Sequence, residues 1–210
     1  MTLTKILVGL ILTALTSCGK TTERQKPDPA AVQYNNQAMA LVAYIDNFDS
    51  AKKALTLLEK ATQIDSNYFL GHSNKLMFYY QLKQFDKALK TNTKLIQLCP
   101  NAHDLYLQSG ILSFQLGDTI SARKYFEKSL SICNAVLDTM QKTNRDFVLL
   151  TTNKAINLIY LDDTKQANKL LLTLYDALPS YTEFDKIQKK GVKDLMGKSK
   201  KDLLALFKNP

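Results

Sequence analysis

The sequence has few of the residues on which many active sites and turn-rich folds depend. Tryptophan is absent, and the 210 residues include only three cysteines and two histidines. These are too few for a disulfide framework or a histidine-based metal cage. Seven glycines and five prolines are about half of the usual share of these turn-forming residues. An all-β sandwich or barrel is therefore disfavoured, and long helices are favoured.

Sequence motifs for catalysis are missing as well. There is no GxSxG nucleophile motif, and neither GxxxxGK[ST] nor GxGxxG occurs as a phosphate-binding loop. Cys99 and His103 have a spacing found among metal ligands, but Pro100 lies between them and no CxxC or HxxxH pair accompanies them. We therefore predict a protein that is not an enzyme and that binds no cofactor and no metal.

The composition is that of a folded, basic protein. Apolar residues make up 45% of the chain and charged residues 22%, with a formal net charge of +9 at pH 7. A positive charge can attract nucleic acid, but the lysines are scattered and do not alternate with aromatic residues. We predict no nucleic-acid partner.

The first residues have the pattern of an export signal. Lys5 precedes an uncharged apolar stretch, and small residues follow up to Cys18. The stretch of roughly ten residues is too short for a spanning helix, which needs about 20. The segment Leu15-Thr16-Ser17-Cys18 resembles the bacterial lipobox. This resemblance implies cleavage after Ser17 and acyl chains on Cys18; an ordinary secretory signal is the alternative.

The lipobox resemblance predicts the location of the protein. Residues 1–17 would be a lipoprotein signal peptide, and residues 18–33 the lipidated cysteine with a flexible, polar tether. Two or three acyl chains hold a protein on a membrane because each buried methylene contributes about 0.8 kcal/mol. Gly19 is not the aspartate that retains some lipoproteins in the inner membrane. We expect a bacterial cell-envelope lipoprotein, with the outer membrane favoured and its facing side left open.

A repeat of 34 residues runs through the rest of the chain. Ala54, Ala88 and Ala122 are 34 residues apart, and Ala167 follows after 34 plus an insertion of 11. Several other columns keep these offsets, which chance does not explain. They comprise Phe48, Leu82, Leu116 and Leu161; Ile64, Leu98, Ile132 and Ala177; and the turn residues Ser66, Pro100, Asn134 and Pro179.

These columns resemble tetratricopeptide repeats (TPR). In the third copy the family's aromatic, small, turn and alanine positions are occupied by Tyr106, Gly110, Gly117, Ala122 and Phe126. The resemblance implies an all-α fold, a right-handed TPR-type α-solenoid of about four helix-turn-helix repeats with a C-terminal capping helical segment. Within 34–181 we place the copies at about 35–68, 69–102, 103–136 and 148–181, the insertion at 137–147, and basic capping helices at 182–210.

The resemblance also implies a binding groove, because the first helix of each copy faces the concave side in this family. The matching positions here are apolar and aromatic, which suits a protein or peptide partner. For about half of them, packing between helices is the alternative. The occupant could be a segment of another protein, a second copy of this chain through self-association, or its own C-terminal helix. The groove positions are Met77, Tyr80, Gln81, Leu107, Ile111, Phe114, Gln115, Ile156, Ile159 and Tyr160.

The functional hypothesis is a lipid-anchored envelope adaptor or scaffold that binds a partner through this groove. The alternative is a small-molecule or glycan-binding accessory protein of cell-wall or envelope metabolism. Cys99 and Cys133 occupy equivalent positions of neighbouring copies, further apart than the roughly 7 Å that a disulfide allows between Cα atoms. We therefore predict two free, mostly buried thiols at these positions.

Overall fold

The computed structural model describes residues 26–143 and 146–208, with side chains as far as residue 205. The predicted signal peptide and the predicted lipidation site, Cys18, lie outside the described residues. Within them every regular element is a helix, so the prediction of an all-α protein is confirmed. None of the helices in the described ranges is long and apolar enough to cross a membrane.

The chain divides into two compact units, which meet in sequence between Asn101 and Ala102. In both, helices that follow one another pack in pairs, as in a TPR-type α-solenoid. The N-terminal unit contains α1 Pro29–Met39, a 3₁₀ helix Val42–Tyr44, α2 Phe48–Ile64, α3 Phe69–Gln81 and α4 Phe85–Leu98. The C-terminal unit contains α5 His103–Gln115, α6 Thr119–Leu137, α7 Phe147–Tyr160, α8 Thr164–Ala177, α9 Glu183–Leu195 and α10 Lys200–Lys208.

The first helix begins earlier than the predicted tether allows. The tether was expected to extend to residue 33, but α1 starts at Pro29. The Asp28 carboxylate accepts a hydrogen bond from the N–H of Ala30 at 2.7 Å, and proline is favourable in the first turn because its missing N–H would have no partner there. Ala31 is fully buried against Ala61 and Tyr68. Residues 29–33 are therefore part of the folded unit, and the predicted boundary is wrong.

Three tight turns occur with the spacing of the sequence repeat. Lys83, Gly117 and Asp162 have φ angles of 54°, 86° and 69°, and each lies in the three-residue connection within a helix pair. These positions are 34 and 45 residues apart, the same offsets as in the alanine columns. In each turn the residue with positive φ donates its N–H to the carbonyl three residues before it. The sequence repeat therefore corresponds to a repeated backbone geometry.

The alanine column marks the second helix of each pair. Ala54, Ala88, Ala122 and Ala167 lie on α2, α4, α6 and α8, and none is more than 1% exposed. A small buried residue at this place lets two helix backbones approach closely. The second helix of the third copy is the longest of the four: α6 has 19 residues, whereas α2 has 17 and α4 and α8 have 14 each.

The two cysteines within the repeats differ in chemical state. Cys133 is a free, buried thiol, and burial raises its pKa to about 12. Cys99 is also buried but is disulfide-bonded. The prediction of a free thiol is confirmed for Cys133 and wrong for Cys99. The reason is that the spacing of the repeats excludes only a bond between these two cysteines.

Candidate functional site

Three helices of the C-terminal unit meet around a pair of stacked rings. The ring of Phe126 on α6 lies parallel to the ring of Tyr160 on α7, with centroids 4.4 Å apart and an interplanar angle of 8°. Phe114 on α5 meets Tyr160 edge-on, at 5.8 Å and 63°. Gly110 on α5 faces Phe126 so closely that an added Cβ would lie 2.5 Å from its Cε1 atom. Glycine is therefore needed where α5 crosses α6.

Most of the predicted groove positions of the C-terminal unit belong to this core. Leu107, Ile111, Ile156, Ile159 and Tyr160 are each 6% exposed or less and form one cluster with Phe126. For these five residues the alternative, packing between helices, describes their place in the structure. Phe114 and Gln115, at the end of α5, are half-buried.

The C-terminal helices contribute to the same hydrophobic core. Val192 and Leu195 of α9 and Leu203 of α10 belong to the same hydrophobic cluster. The Lys200 ammonium lies 2.7 Å from the Asp162 carboxylate and 5.9 Å from the centroid of the Phe114 ring. Through this contact the first residue of α10 lies beside one predicted groove position, Phe114.

The predicted groove positions of the N-terminal unit are more accessible. Met77, Tyr80 and Gln81 on α3 are all half-buried. The Tyr80 ring lies 6.4 Å from that of Phe85, and the Gln81 amide donates to the Asp46 carboxylate at 3.2 Å. Burial raises the pKa of the Tyr80 hydroxyl above its ordinary value.

The Gln81 hydrogen bond connects the end of α3 to a segment with exposed aromatic residues. Asp46 lies between Tyr44, which is 63% exposed, and Phe48, which is 57% exposed. Large apolar side chains at these exposures are available to a partner. Sequence reasoning named Phe48 only as a repeat position and did not single out Tyr44, because neither occupies a first-helix position of the repeat.

Helices α5 and α6 form the hairpin in which the chain is similar to a known family. Residues 103–135 match the tetratricopeptide repeat. The match spans α5, the Gly117 turn and α6 as far as residue 135. No curated protein matches the chain significantly. Together with the helix pairs, the matched repeat supports a TPR protein, and TPR proteins generally act in protein–protein interaction.

A buried chain of hydrogen bonds connects the matched repeat to the next helix. Ser129 on α6 donates its hydroxyl to the His103 carbonyl on α5 at 2.8 Å. The amide of Asn157 on α7 donates to the Ser129 hydroxyl at 2.9 Å and to the Asn153 carbonyl at 2.9 Å. Ser129 and Asn157 are fully buried, so these bonds hold three helices in one register.

The titratable groups beside this network are shielded from solvent. Burial lowers the pKa of His103, which favours the neutral imidazole, and burial raises the pKa of the neighbouring Asp104 carboxyl. Burial raises the pKa of the Cys133 thiol to about 12, which disfavours the reactive thiolate. No group of three or more histidine, cysteine or acidic side chains suited to a metal ion occurs in the described part of the chain. The His103, Asp104 and Cys133 side chains are therefore buried within the core of the C-terminal unit.

Proposed function

We propose that this protein is a lipid-anchored bacterial envelope lipoprotein that acts as an adaptor, binding a protein or peptide partner through its helical repeats. The observation that carries the proposal is the match of residues 103–135 to the tetratricopeptide repeat, in a chain whose tight turns recur in phase with it. A stack of such hairpins presents an extended surface to a partner.

The N-terminal unit provides the first candidate surface for that partner. Met77, Tyr80 and Gln81 keep exposed surface on α3, whereas most of the corresponding residues of the C-terminal unit are buried. Interaction surfaces are enriched in tyrosine and methionine, which bury a large apolar area on binding. We therefore place the initial contact on α3.

Cross-linking from α3 tests the partner hypothesis. A photo-reactive phenylalanine analogue at Met77, in the full-length chain in intact cells, is expected to capture one reproducible protein. The same analogue at Ile120, which is 72% exposed on α6, serves as the matched control. Met77→Lys should reduce binding of the recovered partner to the purified chain by about 30-fold or more, since loss of a hot-spot residue costs about 2 kcal/mol or more. Identical cross-linking patterns at positions 77 and 120 would count against the proposal.

The proposed membrane anchor rests on the lipobox pattern at Cys18, and the outer membrane is its proposed destination. The sulfur of Cys18 can carry either an acyl-glyceryl thioether or a disulfide, but not both, so the two states are distinguishable by mass.

Mass spectrometry of the protein isolated from cell envelopes tests this anchor. We expect an N-terminal peptide that begins at Cys18 and carries acyl chains, and loss of membrane association in Cys18→Ser. Cys133→Ser is the control, since that thiol is free and buried. An unacylated Cys18, or a Cys18 recovered in a disulfide with Cys99, would overturn the proposed lipidation.

A further inference from the structure

Within residues 200–205, where side chains of the last helix are described, the first attachment to the C-terminal unit is hydrophobic. Leu203 is 3% exposed within the hydrophobic cluster, and Leu204 packs against the cluster while half-buried. The connection from α9 contains Gly197, whose φ is 72° and whose N–H donates to the Asn168 side chain at 2.8 Å. An added Cβ at Gly197 would meet no atom within 4 Å, so other atoms do not pack closely around this connection.

The second attachment of α10 is the ion pair at its first residue. Lys200 reaches Asp162, in the turn between α7 and α8, and lies over the ring of Phe114 on α5. The two charged side chains are 34% and 65% exposed. Solvent reaches this pair, so salt and competing charges weaken it. A cation near an aromatic face gains a further electrostatic attraction.

The contacts of α10 coincide with a place where a ligand is expected. Phe114 was assigned to the groove from the sequence and is half-buried beside Lys200, whereas the five further predicted groove positions in the cluster of Leu203 are buried between helices. α10 begins with a lysine and buries a leucine three residues later, the spacing of one face of a helix. A helix of nine residues is unstable alone, so α10 is ordered by this docking. Its own sequence therefore shows which chemistry the surface accepts.

We propose that α10 is an internal ligand of the C-terminal unit, and that this unit binds a partner helix which displaces α10. The partner is an amphipathic helix with a lysine in its first turn and leucines three and four residues later, matching Lys200, Leu203 and Leu204. The inference rests on the proposed adaptor function and specifies the partner of its second surface. Opening of α10 then controls when that surface is available.

A peptide of the chain's own sequence provides the probe. Fluorescein-labelled peptide 199–210, SKKDLLALFKNP, is titrated with the full chain and with the full-chain variant Lys200→Glu/Leu203→Asp, whose α10 cannot dock. We expect the variant to bind the peptide about 10- to 1,000-fold more tightly by fluorescence anisotropy, because a docked α10 leaves the surface free in a minor population only. Affinities within twofold of each other, or no binding to the variant, would overturn the proposal.

The controls separate specific docking from loss of charge. Lys201→Glu makes the same charge change at the next residue, which is exposed, and should behave like the unmodified chain. A peptide carrying Leu203→Asp should not bind the opened variant. Binding of this peptide with the same affinity as the unmodified one would contradict docking through the leucine.

A charge reversal at Asp162 provides a second variant that keeps the core intact. The equivalent turn position is Lys83, which has the same left-handed backbone, so lysine is tolerated there. Two peptides are compared, the unmodified one and one in which Lys200 is replaced by aspartate. The full chain with Asp162→Lys should bind the aspartate peptide more tightly. The unmodified chain should bind the unmodified peptide more tightly. The same preference in both chains would contradict the ion pair. Failure of these experiments would leave cross-linking from Met77 unaffected, so the two proposals fail separately.

Discussion

Replacing Phe126 by alanine is expected to lower the unfolding free energy of the C-terminal unit by about 3–5 kcal/mol. The Phe126 ring is 1% exposed, stacks on Tyr160 and lies against Gly110. Its removal leaves a cavity bordered by α5, α6 and α7. The hydrogen bonds from Ser129 and Asn157 hold these helices at their present separation, so the cavity cannot close.

Hydrogen exchange measures this loss separately in each unit. Amides of α5 to α7 should lose protection in Phe126→Ala, while those of α2 and α3 should keep theirs. Ile120→Ala on the same helix is the control, because that side chain is 72% exposed. Its effect should stay within about 0.5 kcal/mol. A change of less than about 1 kcal/mol in Phe126→Ala would contradict the central position of this ring.

Gly110→Ala has the second largest expected effect, a destabilisation of about 1–3 kcal/mol. The new methyl group would lie 2.5 Å, 2.6 Å and 2.9 Å from three carbons of the Phe126 ring. The ring has no room to retreat, since Tyr160 stacks on it with centroids 4.4 Å apart. This clash exceeds the advantage of about 1 kcal/mol that alanine has over glycine within a helix.

A second helical glycine provides the matched control for this substitution. Gly191 lies within α9, and a Cβ added there would meet no atom within 4 Å. Gly191→Ala should therefore raise the unfolding free energy by about 0.5–1 kcal/mol. The double variant Gly110→Ala/Phe126→Leu should lose less than the sum of its two single changes, because the shorter side chain makes room for the methyl group. Equal stabilities of Gly110→Ala and Gly191→Ala in urea unfolding would contradict the close helix crossing.

The repeat could be predicted because its signals are local and recur. A buried alanine marks the second helix of each pair. Gly117 indicates the left-handed turn by its residue type, since glycine favours positive φ. Lys83 and Asp162 adopt the same turn without being glycine, and only their distance from Gly117 along the chain relates them to it. The early start of α1 was missed because two prolines near Asp28 also suit an extended spacer.

Whether the groove positions are open or buried could not be predicted, because their exposure depends on contacts between distant parts of the chain. Ile156 and Tyr160 are buried in one cluster with Phe126, a residue of another helix, and no periodic pattern contains that information. The same holds for Ser129 and Asn157, whose hydrogen bonds connect residues 26 and 28 positions apart. From the sequence alone, a serine or an asparagine on an amphipathic helix is equally compatible with a solvent-facing position.

The central claim is that the turn within a helix pair has the same backbone geometry in successive copies of the sequence repeat. Backbone chemical shifts and three-bond couplings of Lys83, Gly117 and Asp162, measured by solution NMR, test it most directly. The account predicts positive φ at all three positions, flanked on both sides by helical shifts. Right-handed helical values at Lys83 or Asp162, or extended-strand shifts within the flanking helices, would contradict it.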